Sequence, residues 1–324
     1  MTNFNYNADY LKLLSIFFRV VQSSIEDFQE LDECYVYAHA LALKQYRHLS
    51  TIKTLCVPQY DEITGDTYVD HASIHSLTRS SLETFLTFAH LYSPENAELT
   101  RLRYAIWQRC GLMERQKLVP SVQDFDEQLS QERRDIDALK IEIEASPLFQ
   151  MGYGPKQRKR LIEDGEWMGV NKMSLLATEA RIHKNYFRNV YKHASGHSHA
   201  SFISAMQVNQ ARDLTTQTLM ATSCLGIGLF VMTHFLAIFV RMSPKAKETL
   251  NAEQEAKHLF VHWHIQEDDW EKLYIKKNAS GEIINPSSNL ATLIIRSLDN
   301  WRSTGQGYVQ GSYGAMTLRF TLRR

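Results

Sequence analysis

Apolar residues recur at helical spacing along most of the chain. The first stripe, from Leu13 to Ile25, repeats every three or four positions, and Asn7 or Asp9 is placed to cap the helix that it predicts. Gly111 predicts the stop of a later helix, and Thr64-Gly65-Asp66 predicts a loop or short hairpin. The stripes in the first third of the chain predict four helices, over residues 13–25, 32–55, 74–91 and 97–110.

Residues 125–143 carry a short heptad pattern. Leu129, Ile136 and Ile143 recur every seven positions, but Glu132 interrupts the apolar seam and barely three heptads exist. This length favours a helical-hairpin arm, near residues 116–165, over a long coiled coil.

The segment from Thr218 to Met242 is the most apolar part of the chain. It contains no formal charge before Arg241, and its length would suffice to cross a bilayer. Polar residues such as Thr222 and His234 dilute it, which favours a central helix buried by other helices over a membrane span.

The pattern changes after Met242. Residues 258–286 favour a short helix followed by a hairpin, and a further helix is expected from about 287 to 302. We therefore predict a mainly α fold: a multi-helix bundle over residues 1–242, with a small mixed α/β C-terminal appendage over residues 243–324.

Charge and cysteine usage narrow the function classes. Lys+Arg and Asp+Glu both number 36, which argues against a generally basic nucleic-acid binder but allows a local patch. The densest basic run is Lys156 to Arg160; a solvated helix face and a phosphate-binding surface both remain open for it. The four cysteines are scattered without a CxxC pair, and the N-terminus lacks the pattern of a signal peptide, so we expect a cytoplasmic location.

Candidate chemistry is concentrated between Arg181 and Ser201, which contains four histidines. If this segment is one helix, Arg188 and three polar residues share a narrow stripe, whereas His193 and His197 lie on the opposite side. The stripe either forms a functional site or satisfies buried hydrogen bonds between helices. Its three other members are Tyr191, Ser195 and His199.

Part of this segment resembles a known family. Tyr191-x3-Ser195-x3-His199 is similar to the hallmark of a bacterial family of unknown function, whose members often carry an earlier Arg-x3-Glu motif. Arg79-x3-Glu83 matches that motif, and Trp167 lies at a fitting distance upstream of the hallmark. The resemblance covers about residues 20–240. It implies membership of the HEPN-like helical-bundle group, which includes RNA-cleaving toxins and antiphage proteins.

The resemblance implies a metal-independent ribonuclease site. The HEPN signature is Arg-x4–6-His, which Arg188 and His193 match. In such a site the arginine holds the scissile phosphate and the histidine helps the 2′-hydroxyl to attack. The family hallmark selects His199 instead, so either histidine could act with Arg188. Three further residues would orient the site: Asn189, Tyr191 and Ser195.

Other residues receive supporting roles. Arg79 and Glu83 form either a structural ion pair or a second shell in which Glu83 orients His199. RNA would contact the basic run, and the group resemblance implies a homodimer and a protein partner such as an antitoxin. The residues of the basic run are Lys156, Arg158, Lys159 and Arg160.

Two alternatives to a ribonuclease remain. His193 and His197 could share a metal ion, but zinc needs a third ligand and the sequence shows no convincing set of three, so we predict no metal and no cofactor. HEXXH, P-loop, GxGxxG and GxSxG motifs are absent. The second alternative is a non-enzymatic helical module that binds a protein or nucleic acid.

Overall fold

The computed structural model describes residues 5–29, 32–118, 126–168 and 173–265, and these ranges are mainly helical, as predicted. The strands in them are β1 (Gln59–Tyr60) and β2 (Thr67–Tyr68), an antiparallel pair around the predicted turn. The helices are α1 (Tyr6–Ser23), α2 (Ile25–Gln29), α3 (Glu33–Leu55), α4 (His71–Tyr92), α5 (Ala97–Arg115), α6 (Asp126–Ala145), α7 (Pro147–Gly152), α8 (Pro155–Lys159), a π-helical turn (Arg160–Asp164), α9 (Met173–Glu179), α10 (Lys184–Ser198), α11 (Phe202–Gln210), α12 (Leu214–Phe239), α13 (Pro244–Ala252) and α14 (Gln254–Trp263).

Two predicted helix boundaries are wrong. The cap of α1 is Asn5, whose side chain accepts a hydrogen bond from the Ala8 amide at 3.1 Å, and neither Asn7 nor Asp9 takes that role. Helix α5 continues through Gly111, because the next turn packs against α6 and brings Arg115 to the buried carboxylate of Glu132. Tertiary packing thus overrides the stop signal of the glycine.

Helix α12 is the centre of the bundle. Phe235 stacks on Phe88 of α4, with ring centroids 3.8 Å apart, and also contacts Phe17 of α1. Among the described residues, α12 is the one helix that is both long enough and apolar enough to cross a membrane. However, 78% of its most apolar window is buried inside the protein. That is the packing of a core helix, which agrees with the prediction from its polar residues.

Gly228 allows α12 to approach α1 closely. A Cβ atom at this position would lie 2.6 Å from Cε2 of Tyr10, a fully buried ring whose hydroxyl donates to the Leu49 carbonyl. We expect Gly228→Ala to lower the free energy of unfolding by about 2–3 kcal/mol, since the ring must shift within a close-packed core. Chemical denaturation would measure this change.

Gly111 is the matched control for this prediction. It is also helical, but it is exposed and a Cβ there meets nothing within 4 Å. Gly111→Ala should stabilise the protein by about 0.5–1 kcal/mol through helix propensity. Equal effects of the two substitutions would contradict the packing described for Gly228.

A smaller apolar cluster lies between α5, α6, α7 and the π-helical turn, in the region predicted as an arm. Glu132, which interrupts the heptad pattern, is buried and pairs with Arg115 and Gln116 of α5. The buried Arg109 donates to the Ile162 carbonyl at 2.9 Å and so ties the π-helical turn to α5. The seam therefore packs against α5 through an ion pair with a buried carboxylate as well as through apolar contacts.

The main core extends beyond the predicted boundary at residue 242. Ala246 of α13 and Leu259 and Trp263 of α14 belong to the same cluster as α1 and α12. The hairpin and the last helix predicted for the C-terminal appendage lie in residues 266–324, outside the described ranges.

Candidate functional site

Helix α4 presents a seam of four polar residues at intervals of four: His71, His75, Arg79 and Glu83. This spacing keeps them on one face of the helix, because four residues advance slightly more than one full turn. The seam faces α10, which supplies its partners. Asp70 fixes the start of the seam by capping α4, accepting from the Ser73 amide at 3.0 Å.

Helix α10 is shorter than the segment predicted as one helix. It runs from Lys184 to Ser198, and it is bracketed by Arg181 and Ala200, whose φ angles are 55° and 48°. Gly196 lies inside the helix. His199 is the C-cap of α10, with a φ angle of −117°, so it lies at the end of the helix and not within the helical stripe that was predicted for it.

An apolar stripe docks α10 on the bundle, with Phe187, Val190 and Ala194 buried. Tyr191 is displaced to one side of this stripe and His193 to the other, since neighbouring positions differ by about 100°. Two polar clusters result along the α4 seam.

The first is the arginine cluster, formed by Arg79, Glu83, Tyr191 and His199. Arg79 Nε donates to Glu83 at 2.9 Å, and its Nη1 lies 2.8 Å from His199 Nε2. The Tyr191 hydroxyl donates to the same Glu83 oxygen at 2.7 Å, and the guanidinium lies over the tyrosine ring. Glu83 therefore holds both Arg79 and Tyr191 in place.

The geometry fixes the protonation state of this cluster. A guanidinium can only donate hydrogen bonds, so the bond from Arg79 requires His199 Nε2 to be an unprotonated acceptor, with the ring proton on Nδ1. Burial and then the Glu83 hydrogen bond raise the pKa of Tyr191, which stays a donor at neutral pH. His199 is exposed at the surface. The cluster thus combines a cation with an accessible neutral imidazole.

The second is the histidine cluster, formed by His71, His75, His193 and His197. His75 Nδ1 donates to the His71 carbonyl at 2.6 Å, which leaves its Nε2 as an acceptor. His193 Nε2 lies 2.9 Å from that atom, and the Gln207 amide of α11 lies 3.3 Å from His193 Nδ1. His197 stacks on His75, with ring centroids 4.5 Å apart. Four imidazoles from two helices therefore meet in one place.

These imidazoles are held neutral. Burial, followed by the neighbouring His75, lowers the pKa of His193 well below its usual value. The same causes lower the pKa of His197 to about 4, against a smaller opposing effect of Gln207. Burial also lowers the pKa of His75 and of His71. Neutral imidazole is the form that accepts hydrogen bonds and binds metal ions.

The pairing of Arg188 with His193 does not form a site in the structure. His193 turns inward to His75, whereas Arg188 is exposed on the solvent side of α10. His193 lies five positions after Arg188, which places the two residues about 140° apart around the helix axis. Asn189 and Ser195 join neither cluster: among the described residues, Asn189 Oδ1 and Ser195 Oγ are buried without a hydrogen-bond partner.

The basic run lies on α8 and at the start of the π-helical turn. It is distant in sequence from both polar clusters, and the residues that follow it, Leu161 and Ile162, belong to the smaller apolar cluster. Lys159 lies 3.8 Å from Glu163, Arg160 lies 3.5 Å from Glu166, and Arg158 bonds to Gln150. Lys156 is exposed. Local carboxylates thus offset part of the charge of this run.

Sequence reasoning missed His71 and His75. The available signal was the repeat His71-x3-His75-x3-Arg79-x3-Glu83, which extends the recognised Arg-x3-Glu pair by two turns. Trp167, taken from the family resemblance, contacts His90 at a ring distance of 5.7 Å and packs against both apolar clusters. It is a packing residue in this structure.

The comparisons with known proteins give a family and nothing closer. No curated protein and no solved structure matches the chain. One family model, described as a family of unknown function (DUF5677), matches residues 35–215, which is more than half of the chain and includes both polar clusters. The protein therefore belongs to DUF5677, a family of unknown function.

Proposed function

We propose that this protein is a HEPN-like endoribonuclease that cleaves RNA without a metal ion, and that the arginine cluster is its active site. The observation that carries the proposal is the contact between Arg79 and His199, 2.8 Å apart at the surface end of a polar seam. A permanent cation beside a neutral imidazole supplies the two groups that such cleavage needs, one for the phosphate and one for the proton.

The first step follows from the hydrogen bonds. When a phosphate binds, its oxygens replace His199 as acceptors of the Arg79 Nη protons, and this frees the Nε2 lone pair. His199 then takes the proton of the 2′-hydroxyl as its oxygen attacks phosphorus. The bond from phosphorus to the 5′-oxygen breaks, and that oxygen takes a proton from water or from the imidazolium. The products are a 2′,3′-cyclic phosphate and a 5′-hydroxyl.

Glu83 and Tyr191 position the cation. Glu83 accepts from Arg79 Nε, which leaves Nη1 directed toward His199 and Nη2 3.4 Å from the Tyr191 hydroxyl. The ring of Tyr191 lies 5.3 Å from the guanidinium carbon, and its hydroxyl bonds Glu83. Holding the guanidinium before the substrate binds reduces the reorganisation that the transition state would require.

Other parts of the proposal follow from the family resemblance and from the surface. The exposed Arg188 and Lys156 are available to contact the RNA backbone. A cytoplasmic location, expected from the scattered cysteines, would give access to cellular RNA. Two copies would place two arginine clusters on one molecule of substrate, as the HEPN resemblance implies.

Incubation of the tag-free protein with end-labelled RNA tests the function. We expect cleavage that persists in excess EDTA and leaves 2′,3′-cyclic phosphate ends, and we expect His199→Ala to slow it by about 10²–10⁴-fold, the usual contribution of a general base. The absence of cleavage over a panel of structured and single-stranded RNAs, or cleavage that His199→Ala leaves unchanged, would refute the assignment.

One observation favours a second candidate function, a non-enzymatic module that binds a protein. Helix α11 and the start of α12 expose several apolar side chains, a feature of protein interfaces. Light scattering of the same sample separates the candidates: a dimer without ribonuclease activity supports the binding module. The exposed side chains are Phe202, Ile203, Val208, Leu214 and Leu219.

A further inference from the structure

We propose that His75, His193 and His197 bind one divalent transition-metal ion of the zinc type, which joins α4 to α10. The ligand nitrogens of these three residues all lie within 4.8 Å of one another. His75 comes from α4, and the other two come from successive turns of α10. This inference goes beyond the proposed ribonuclease, and it does not depend on it.

The hydrogen bond of His75 prepares a ligand atom. Its Nδ1 proton is held by the His71 carbonyl, so the Nε2 lone pair points to the centre of the cluster. Metal-binding histidines nearly always donate their second nitrogen to a carbonyl or carboxylate in this way, which fixes the tautomer and the ring direction. His75 is 2% exposed, so its orientation is also fixed by packing.

Unpaired buried atoms give an independent indication of a ligand. Within the described part of the chain, both ring nitrogens of His197 are buried without a hydrogen-bond partner, and so is His71 Nε2. Gln207 Oε1, beside His193, is also buried without a hydrogen-bond partner. Buried polar atoms without partners are costly and rare. A cation at the centre would coordinate His197, and it would explain why several such atoms collect here.

Gln207 completes the second shell. In the metal-free cluster its amide donates to His193 Nδ1, while His193 Nε2 donates to His75. When the ion takes His193 Nε2, the ring proton moves to Nδ1. If the Gln207 amide rotates by half a turn, its Oε1 accepts the proton on His193 Nδ1. Oε1, which has no partner in the metal-free cluster, then has a hydrogen bond.

The distances require only small movements. Tetrahedral zinc with bonds of about 2.0–2.1 Å places its ligand nitrogens about 3.3 Å apart. The pair His75 and His193, now 2.9 Å apart, must open slightly, and His197 must tilt inward from its stacked position. His197 is half-buried and no hydrogen bond holds its ring within the described residues. Water or His71 Nε2 would supply the fourth ligand.

The chemistry of the ligands selects the ion. Imidazole suits Zn²⁺, Co²⁺ and Ni²⁺, whereas Mg²⁺ and Ca²⁺ require oxygen ligands. The cluster lies one helical turn from Arg79 along α4, and an ion there would hold α10, and with it Tyr191, against the seam.

Titration of the tag-free, chelator-treated protein with Zn²⁺ against a chromophoric competitor tests the site. We expect one equivalent to bind, and we expect Co²⁺ to give the intense visible bands of four-coordinate cobalt. His75→Gln should weaken Zn²⁺ binding by at least about 100-fold, and Gln207→Leu by about 10–100-fold as a second-shell change. His48→Gln, a half-buried histidine of α3 outside the cluster, should leave the affinity unchanged.

The two variants and the cobalt spectrum keep the test decisive. If His75→Gln misfolds by circular dichroism, Gln207→Leu and the wild-type cobalt spectrum still decide. Wild-type protein that binds no stoichiometric Zn²⁺, or binding that neither variant weakens, overturns the proposal. Ribonuclease activity is assayed in EDTA, so the failure of one proposal is distinguishable from the failure of the other.

Discussion

An Arg79→Ala variant is expected to cleave RNA about 10²–10³-fold more slowly than the wild type, the effect of removing one preorganised donor from a developing negative charge. The loss should fall mainly on kcat, because other cations can still attract the phosphate backbone. Arg79→Lys keeps the charge but not the planar fork, which here serves Glu83 and His199 at once. It should therefore recover only part of the rate. Single-turnover cleavage of labelled RNA measures both variants.

Two other arginines make this prediction discriminating. Arg47→Ala removes one exposed charge from α3 and is expected to change the rate less than about twofold at physiological salt, since it lies on the surface of another helix. Arg188→Ala tests the assignment made from the HEPN signature. If Arg188→Ala abolishes cleavage and Arg79→Ala does not, the catalytic arginine is the one that the spacing selected, and the arginine cluster is structural.

Local pattern was sufficient to predict most of the scaffold. The apolar stripe of α1, the charge-free α12 and the turn at Gly65 each have a periodicity or a residue type that permits few alternatives, and all three were found as predicted. Helix boundaries were less predictable. The end of α5 depends on a partner 17 residues away, Glu132, which draws Arg115 into the helix.

The candidate site could be predicted only in part, for the same reason. Arg79, Glu83, Tyr191 and His199 were all identified from the family motifs, but their mutual contact depends on where α10 ends. The helix ends because Ala200 adopts a positive φ, which no glycine announces at that position. Gly196 instead lets Ser201 approach the helix, with its Oγ 3.0 Å from where a Cβ would be.

The histidine cluster shows what a pairwise search overlooks. His193 and His197 were recognised as a pair at i, i+4, but the sequence showed no convincing third ligand. It lies on α4, about 120 residues away, where His75 belongs to its own series of period four. When two helices pack together and each carries polar residues at helical spacing, the two series together predict a polar site better than either series alone.

Acidification should destabilise this protein, and His234 of α12 should account for a measurable part of the effect. The ring is buried, packs against Phe230 at an interplanar angle of 41° and donates from Nε2 to the Ile265 carbonyl. Burial, and then the facing His264, lower the pKa of His234 to about 3. The unfolded chain binds a proton near pH 6.5 and the folded chain does not, so stability is full above that pH and falls as the pH drops toward about 3. Between pH 6.5 and 4.5 the expected loss is about 2–3 kcal/mol.

A His234→Gln variant isolates this contribution. The glutamine amide can still donate to the Ile265 carbonyl, but it does not titrate. The free energy lost with the imidazole ring contact is therefore the same at every pH. Urea unfolding in EDTA from pH 7.5 to 4.5 should show a smaller pH slope for the variant, and the histidine cluster contributes equally to both proteins and cancels. The pH slope that remains in the variant includes the contribution of His264, because burial also lowers the pKa of His264. Parallel curves for wild type and His234→Gln would show that His234 takes up its proton without unfolding the bundle, and that α12 is less tightly packed at this turn than its burial indicates.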